Sequence, residues 1–231
     1  MSHASHLISK YAIIVAGGSG SRMQSAVPKQ FLLLNGKPVL MHTVEAFYNS
    51  ASSPQIIIVL PAAYPSYWQQ LCTEYNFTIP HKLVLGGETR FQSVKNGLGA
   101  IADERDALVA VHDAVRPCPG EAIVNDSYKH AAKKGNAITA VKSRDSIRQL
   151  KAGVSKSLLR DEIYLVQTPQ TFKIEQLRIA YNQPFDEGFT DDASVVEAAG
   201  FPVSIIEGSY RNIKITFPED LAIAEDFLKS L

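Results

Sequence analysis

Two cations, Arg22 and Lys29, follow a glycine-rich loop in the stretch AIIVAGGSGSRMQSAVPKQ at 12–30. Glycines let a backbone approach a phosphate closely and point N–H groups at it. The loop is not a dinucleotide fingerprint, because Met23 stands at the third glycine position, and no G-K-[ST] closes it as a P-loop. A simple strand-to-loop turn would explain one glycine pair. Several glycines with two cations favour a polyphosphate site.

A second polar group, VHDAVRP at 111–117, follows the apolar run ALVAV. An aspartate there, Asp113, is a natural Mg²⁺ ligand, because hard cations take carboxylate oxygens and bridge substrate phosphates. A turn or a helix cap is the alternative role for a single aspartate. The cationic loop nearby in the predicted fold favours the metal ligand, with His112 and Arg116 beside it.

The stretch LGGETRFQSV at 85–94 places Gly86 and Gly87 after a predicted strand, and a helix is expected to start at Glu88 or Thr89. A tight turn would explain the glycines without any function. Alternatively, the backbone here contacts a base or a ribose, and Ser93 adds a hydrogen bond.

Three further stretches have structural explanations of their own: TPQTF at 168–172, FTDDAS at 189–194 and RNIKIT at 211–216. Pro169 fixes a turn. Thr190 or Asp191 caps a helix, whose dipole favours acidic residues in the first turn. Lys214 alternates with isoleucines and could be an outward-facing strand residue.

Short β-branched runs alternate with amphipathic segments along the chain, which predicts an α/β fold with a doubly wound, mostly parallel sheet. The predicted strands are 12–15, 55–60, 82–85, 107–111, 137–141 and 203–206. The predicted helices are 39–48, 66–74, 89–100, 122–133, 174–181, 193–199 and 218–228. Ligands of such sheets bind at the carboxyl ends of the strands, so the loops after Val15, Leu85 and Val111 should form the site.

The segment 142–168 interrupts this alternation, because it is polar, charged and irregular. Lys151-Ala152-Gly153 at its centre is typical of a hairpin turn between short alternating runs. We expect an inserted β-arm that serves as a lid or packs on another subunit. The chain is otherwise predicted to be one domain, 1–231, with a disordered extension at 1–10.

The composition is ordinary for a globular protein, with 45% apolar and 20% charged residues. Lys plus Arg equals Asp plus Glu at 23 each, so nothing supports nucleic-acid or anionic-membrane binding. The two cysteines, Cys72 and Cys118, form no C-x-x-C pair and are expected to be buried thiols. Neither a signal-peptide h-region nor a membrane-length apolar stretch is present, which favours a cytoplasmic protein.

Taken together, a set of motifs covering essentially the whole chain resembles the 2-C-methyl-D-erythritol 4-phosphate cytidylyltransferase family of the non-mevalonate isoprenoid pathway. The motifs are AGGSGSRM, PKQF, GKPVL, GGETRFQSV, HDAVRP, RDSI, QTPQTF, TDDASVVE and NIKITFPEDL. The resemblance implies that CTP and methylerythritol phosphate react to give diphosphocytidyl-methylerythritol and pyrophosphate, with Mg²⁺ as cofactor. The acceptor phosphate would attack the α-phosphorus of CTP in line.

The resemblance also implies a role for each matching residue. Those at the reacting α-phosphate would be Arg22, Lys29 and Lys214. Those around the nucleotide would be Ala16, Gly17, Gly18, Gly86, Gly87, Ser93 and Asp113, the last holding Mg²⁺. Those at the acceptor would be Arg116, Ser146, Arg160, Thr168 and Thr190, with Arg160 supplied by the arm of the partner in a homodimer.

Departures from the family pattern are small, since Ser146 keeps the hydroxyl of the threonine found in many members and Gly17 replaces an alanine of some. Ribitol-5-phosphate cytidylyltransferase, which has the same loop and chemistry, is the nearest alternative. A module that binds CTP without turnover is the alternative from another class. Four groups converging on one phosphorus, Arg22, Lys29, Asp113 and Lys214, argue against that module.

Overall fold

The structure is a computed structural model that describes residues 8–17, 27–102 and 104–229. Within them, seven strands form one central sheet in the order β11-β7-β10-β6-β1-β4-β5. Its strands are β1 (Ser9–Val15), β4 (Gln55–Leu60), β5 (His81–Leu85), β6 (Ala107–Asp113), β7 (Asn136–Lys142), β10 (Tyr164–Lys173) and β11 (Ile205–Glu207). Two short ladders lie outside it, β2 (Leu33–Leu34) with β3 (Lys37–Pro38), and β8 (Arg148–Lys151) with β9 (Val154–Ser157).

Helices cover both faces of this sheet, as the apolar strand sequences require. They are α1 (Val39–Tyr48), α2 (Pro65–Glu74), α3 (Arg90–Gly99), α4 (Glu121–Lys134), α5 (Ile174–Tyr181), α6 (Asp192–Ala198) and α7 (Glu219–Lys229). Alternate residues of β1 enter different cores: Ile13 packs in the cluster with α3, α5 and α6, and Ile14 in the cluster with α1, α2 and α4. The predicted doubly wound, mostly parallel fold is confirmed.

Strand β10 lies between β6 and β7 and is antiparallel to both, although the sequence did not predict it. Its buried face is largely polar, with Gln167, Thr168, Gln170 and Thr171 all below 9% exposure. Its pairing with β7 also shifts between Val166 and Gln170, around Pro169, and proline cannot donate to a ladder. The strand therefore lacks the apolar alternation by which strands are predicted.

The inserted segment 142–168 is divided by this strand, because 164–166 pair with β7 in the central sheet. The hairpin of β8 and β9 is confirmed, and its turn at Ala152 and Gly153 has φ of 48° and 79°. Every residue of both strands is exposed. The part of the predicted arm that lies outside the central sheet is thus 143–163.

Two smaller expectations need correction. The disordered extension was expected to reach residue 10, but Ser9 and Lys10 pair with Ala107 and Leu108 in the sheet. Residues 1–7 lie outside the described part of the chain. Cys118 is buried as expected, whereas Cys72 is only partly buried. No helix among the described residues is long and apolar enough to cross a membrane.

Candidate active site

The carboxylate of Asp113, at the end of β6, is surrounded by three cationic side chains from separate parts of the chain. Its Oδ2 lies 2.9 Å from Lys214 Nζ and 3.4 Å from Arg116 Nε, and its Oδ1 lies 3.7 Å from Arg90 Nε. Burial alone would raise the pKa of Asp113. The charges of Arg90, Lys214 and Arg116 outweigh burial and hold that pKa far below its ordinary range. Asp113 is therefore a fixed anion within a cationic site.

Hydrogen bonds that involve the backbone hold Thr168 and Arg116, two of the predicted acceptor-binding residues, near Asp113. Thr168 Oγ1, on β10, accepts from the Asp113 N–H at 3.0 Å. Asn212 Nδ2 donates to the Thr168 carbonyl at 2.8 Å, and Arg116 donates to the Asn212 carbonyl at 2.7 Å. The structure thus brings Thr168 and Arg116 together, as predicted, through a buried asparagine that the sequence did not single out.

Lys214 belongs to an irregular segment, so the alternative of an outward-facing strand residue is wrong. The segment is fixed to the core beside the site because the Ile215 N–H donates to the Val115 carbonyl at 2.9 Å. Ile215 is buried, and Lys214 beside it reaches back to Asp113. Ile215 therefore anchors the backbone and so positions the side chain of Lys214 toward Asp113.

Lys29 lies in a short 3-10 turn and is 8% exposed, which is unusual for a lysine. Its Nζ donates to the Ile215 carbonyl at 3.1 Å, in the segment that carries Lys214. The next residue, Gln30, donates to the Ala16 carbonyl at 3.0 Å, at the start of the glycine loop. The turn therefore connects two stretches that were predicted to contact phosphate.

The glycines that follow β1 and β5, two strands with β4 between them, converge on the hydroxyl of Ser93. The Gly87 N–H donates to Ser93 Oγ at 3.2 Å, and that hydroxyl donates to the Thr89 carbonyl at 2.9 Å. A Cβ added at Gly17 would lie 3.4 Å from the same oxygen, and one at Gly86 only 2.9 Å. Glycine suits these positions because the backbone passes so close to the Ser93 hydroxyl that a side chain would crowd it. Thr89 is the N-cap of α3, which agrees with one of the two helix starts predicted from the sequence.

The remaining predicted residues divide into three groups. Thr190 is exposed, directly before the N-cap Asp191 of α6, and Asp191 accepts from Gln170 Nε2 at 2.8 Å on β10. Ser146 and Arg160 are exposed on the arm, and Arg160 contacts Arg144 and Asp161 rather than the Asp113 cluster. Gly18 and Arg22 lie outside the described residues.

Arg90 is the charged residue of the site that the sequence analysis missed. It begins α3 and forms two hydrogen bonds with the carboxylate of Asp192, at 2.9 and 2.7 Å. The motif GGETRFQSV contained the signal, namely a cation in the first turn of a helix at the ligand-binding edge. Cations are unusual there because the helix dipole disfavours them.

This geometry suits a nucleoside triphosphate. Backbone N–H groups, lysines and arginines at the carboxyl ends of parallel strands can neutralise polyphosphate charge. An ionised carboxylate among them can join a hard metal ion that the phosphates also bind.

Sequence comparisons agree with this geometry. The profile of the family described as 2-C-methyl-D-erythritol 4-phosphate cytidylyltransferase matches residues 10–230. A protein of that name from Phocaeicola vulgatus is 47% identical over 218 residues, covering 94% of this chain and 99% of the relative. Another, from Bacteroides thetaiotaomicron, is 49% identical over 216 residues, covering 94% and 98%.

Structure comparisons point the same way. A crystal structure of 2-C-methyl-D-erythritol 4-phosphate cytidylyltransferase from Francisella tularensis has a TM-score of 0.78 at 33% identity, covering 95% of this chain and 99% of that one. That of 4-diphosphocytidyl-2C-methyl-D-erythritol synthase from Anaerococcus prevotii has a TM-score of 0.81 at 28% identity, covering 96% of each chain. Motifs, site geometry and overall fold thus agree, and the chain belongs to the 2-C-methyl-D-erythritol 4-phosphate cytidylyltransferase family.

Proposed function

We propose that the residues around Asp113 transfer the cytidylyl group of CTP to 2-C-methyl-D-erythritol 4-phosphate, with release of pyrophosphate. Family membership makes the chain a nucleotidyltransferase. The observation that carries the residue assignment is the cationic cluster itself, in which Lys214 and Arg116 meet one ionised carboxylate beside the Ser93 glycine cradle.

Each part of the site has a distinct task in this proposal. Gly86, Gly87 and Ser93 line the nucleotide side, where N–H groups and the hydroxyl suit a base and a ribose, and Gly17 beside them belongs to the loop that cradles the triphosphate. Lys29 and Lys214 face the reacting α-phosphate, together with Arg22 from the glycine loop. Positive charge fixed before the reaction stabilises the negative charge that accumulates on the α-phosphoryl oxygens and on the leaving pyrophosphate.

The acceptor is proposed to lie on the opposite side of Asp113, near Arg116, Thr168 and Thr190. Arg116 is held by the Asn212 carbonyl, so its guanidinium is oriented before the acceptor phosphate arrives. An oriented phosphate oxygen can attack the α-phosphorus without forming a covalent intermediate with the protein.

Asp113 is the group that would hold Mg²⁺. No cluster of three or more acidic, histidine or cysteine side chains that could hold a metal occurs within 8–17, 27–102 and 104–229. A single ionised carboxylate still fits, because Mg²⁺ keeps several waters and is commonly bound by one or two carboxylates plus substrate phosphates. When bound there, the ion would neutralise charge on the triphosphate.

The arm at 143–163 is proposed to pack on a second copy of the chain and to deliver Ser146 and Arg160 to the partner's acceptor site. Leu150 and Val154 are 72% and 71% exposed on it, and Leu159 is 70% exposed. Apolar side chains so exposed are typical of an interaction surface. The free thiols of Cys72 and Cys118 are consistent with a cytoplasmic location for this homodimer.

The decisive experiment measures pyrophosphate release from CTP and Mg²⁺ with methylerythritol phosphate, with ribitol 5-phosphate and without acceptor. Release with the first acceptor alone is expected. Release mainly with ribitol 5-phosphate would keep the nucleotide site and change the acceptor. CTP binding without release in any mixture would refute the catalytic assignments.

A second experiment tests the shared site. Arg160→Ala should raise the KM for the acceptor, and mixing it with Asp113→Asn protein should restore activity, because one site of each mixed dimer keeps both residues. A mixture no more active than its separate components would refute the contribution of the partner's arm.

A further inference from the structure

The pairing of Arg90 is unequal between two carboxylates. Both of its terminal nitrogens hydrogen-bond Asp192, at 2.9 and 2.7 Å, in the two-point geometry that arginine and carboxylate favour. Its Nε lies 3.7 Å from Asp113 Oδ1, beyond hydrogen-bonding distance. The guanidinium is therefore hydrogen-bonded to Asp192 and only near Asp113, without a hydrogen bond to it.

Asp192 is itself rigidly held. Its side chain is fully buried, and Tyr181 donates a hydrogen bond to its Oδ1 at 2.6 Å. It is the first residue of α6, whose N-terminus is fixed by the capping box of Asp191 and by Gln170 on β10. A carboxylate held in this way prevents Arg90 from turning toward Asp113.

The two oxygens of Asp113 differ as a result. Oδ2 contacts Lys214 and Arg116. Oδ1 accepts no hydrogen bond from any residue of the described ranges, although the charge of Arg90 stabilises it from 3.7 Å. Within the described ranges, Oδ1 of this ionised carboxylate is thus left without a hydrogen-bond donor.

We propose that Asp192 is a positioning residue that acts through Arg90 to keep Oδ1 of Asp113 open for the metal–nucleotide complex. The inference rests on the proposed function, in which Asp113 meets Mg²⁺ and CTP. Without its partner, Arg90 would turn onto Asp113 and form the close two-point pair that it now makes with Asp192. Asp113 would then remain charged but be unable to ligate the metal.

The test compares the Kd of CTP in excess Mg²⁺ and in EDTA for wild type and Asp192→Asn, by calorimetry. In EDTA the variant should bind CTP at least as tightly as wild type, because a negative charge near the triphosphate is lost. The tightening of CTP binding by Mg²⁺ should fall about 10-fold or more, and kcat by about 10- to 100-fold, as for a misplaced catalytic group.

The double variant Arg90→Met/Asp192→Asn shows whether Asp192 acts through Arg90. Removing Arg90 removes the cation that would pair with Asp113. In the Arg90→Met background, Asp192→Asn should therefore reduce the tightening of CTP binding by Mg²⁺ much less than it does alone. An equal cost with and without Arg90 would overturn the proposal.

A structural role for the same pair predicts a different outcome. If Asp192 only stabilised α6, Asp192→Asn would lower Tm and weaken CTP binding equally with and without Mg²⁺, which would also overturn the proposal. Arg90→Lys supplies a second variant should Asp192→Asn fail to fold, because it keeps the charge without the two-point pair. It is expected to reduce the Mg²⁺ effect in the same way, and an unchanged effect would count against the proposal.

The charged pair of Lys37 and Glu45, which connects β3 with α1, supplies the control. Lys37→Met should leave the Mg²⁺ effect unchanged.

Wild-type protein that bound CTP with Mg²⁺ but released no pyrophosphate would refute the proposed function alone, since the binding comparison does not depend on turnover.

Discussion

Replacing Gly86 by alanine tests the nucleotide cradle most directly, because the structure gives the size of the collision. The added Cβ would lie 2.9 Å from Ser93 Oγ, about 0.5 Å closer than the 3.4 Å at which ordinary contact begins. The hydroxyl can move away only by weakening its bonds with the Gly87 N–H and the Thr89 carbonyl. The substitution therefore combines overpacking with the loss of a hydrogen bond.

Such a change should lower the free energy of unfolding by about 1–2 kcal/mol, and Tm by about 3–6 °C in a domain of this size. Because Gly86 and Ser93 are proposed to contact the nucleotide, the Kd of CTP should rise by about five- to tenfold, which corresponds to about 1 kcal/mol. Thermal unfolding and CTP titration measure the two effects separately.

Gly99→Ala, at the C-terminal end of the helix that carries Ser93, is the matched control. A Cβ there meets nothing within 4 Å. The change should leave CTP binding unaltered and stabilise the protein slightly, since alanine favours a helix by up to about 1 kcal/mol over glycine.

The double variant Gly86→Ala/Ser93→Ala refutes or supports the reasoning. Ser93→Ala alone should destabilise the protein, because the Gly87 N–H loses its acceptor. In the Ser93→Ala background, however, the added methyl at position 86 no longer meets the hydroxyl, so its cost should largely disappear. Strictly additive losses in the two single variants and the double variant would show that the collision with Ser93 is not the cause.

Three further predictions concern catalysis, pH and the arm. Lys29→Met should lower kcat by about 100-fold or more while changing the Kd of CTP far less, because the charge is needed most in the transition state; weaker binding with unchanged turnover would contradict this. Burial lowers the pKa of His112 to about 4, so the unfolded chain binds its proton first and stability should fall by about 3 kcal/mol as pH drops from about 6.5 to 4. His112→Gln should flatten that fall in chemical denaturation, and an unchanged slope would exclude His112 as its source. Leu150→Asp, on the arm, should convert the proposed dimer to a monomer in light scattering, whereas Ile179→Asp, on α5 and 57% exposed, should leave the oligomeric state unchanged.

The sequence predicted the helices and parallel strands well, because apolar periodicity determines which faces are buried. Strand β4 and helices α1 and α5 occur at the predicted residues. Strand β10 was missed because its buried side chains are glutamines and threonines. They are accommodated by hydrogen bonds such as those of Gln170 with Asp191 and Ala193, whose partners lie far along the chain and are invisible to periodicity.

For the site, the sequence by itself determined which residue types are available and at which sheet edge they lie. Gly17 and Gly87 follow parallel strands and Asp113 ends one, so the alternation of strands and helices is enough to place all three at the same edge of the sheet. Only the tertiary structure decided which charged side chains of the site pair with one another, because ion pairing depends on distances between residues remote in sequence. Arg90 and Asp192 are 102 residues apart, and the Arg90 guanidinium forms its two-point pair with Asp192 while lying 3.7 Å from Asp113.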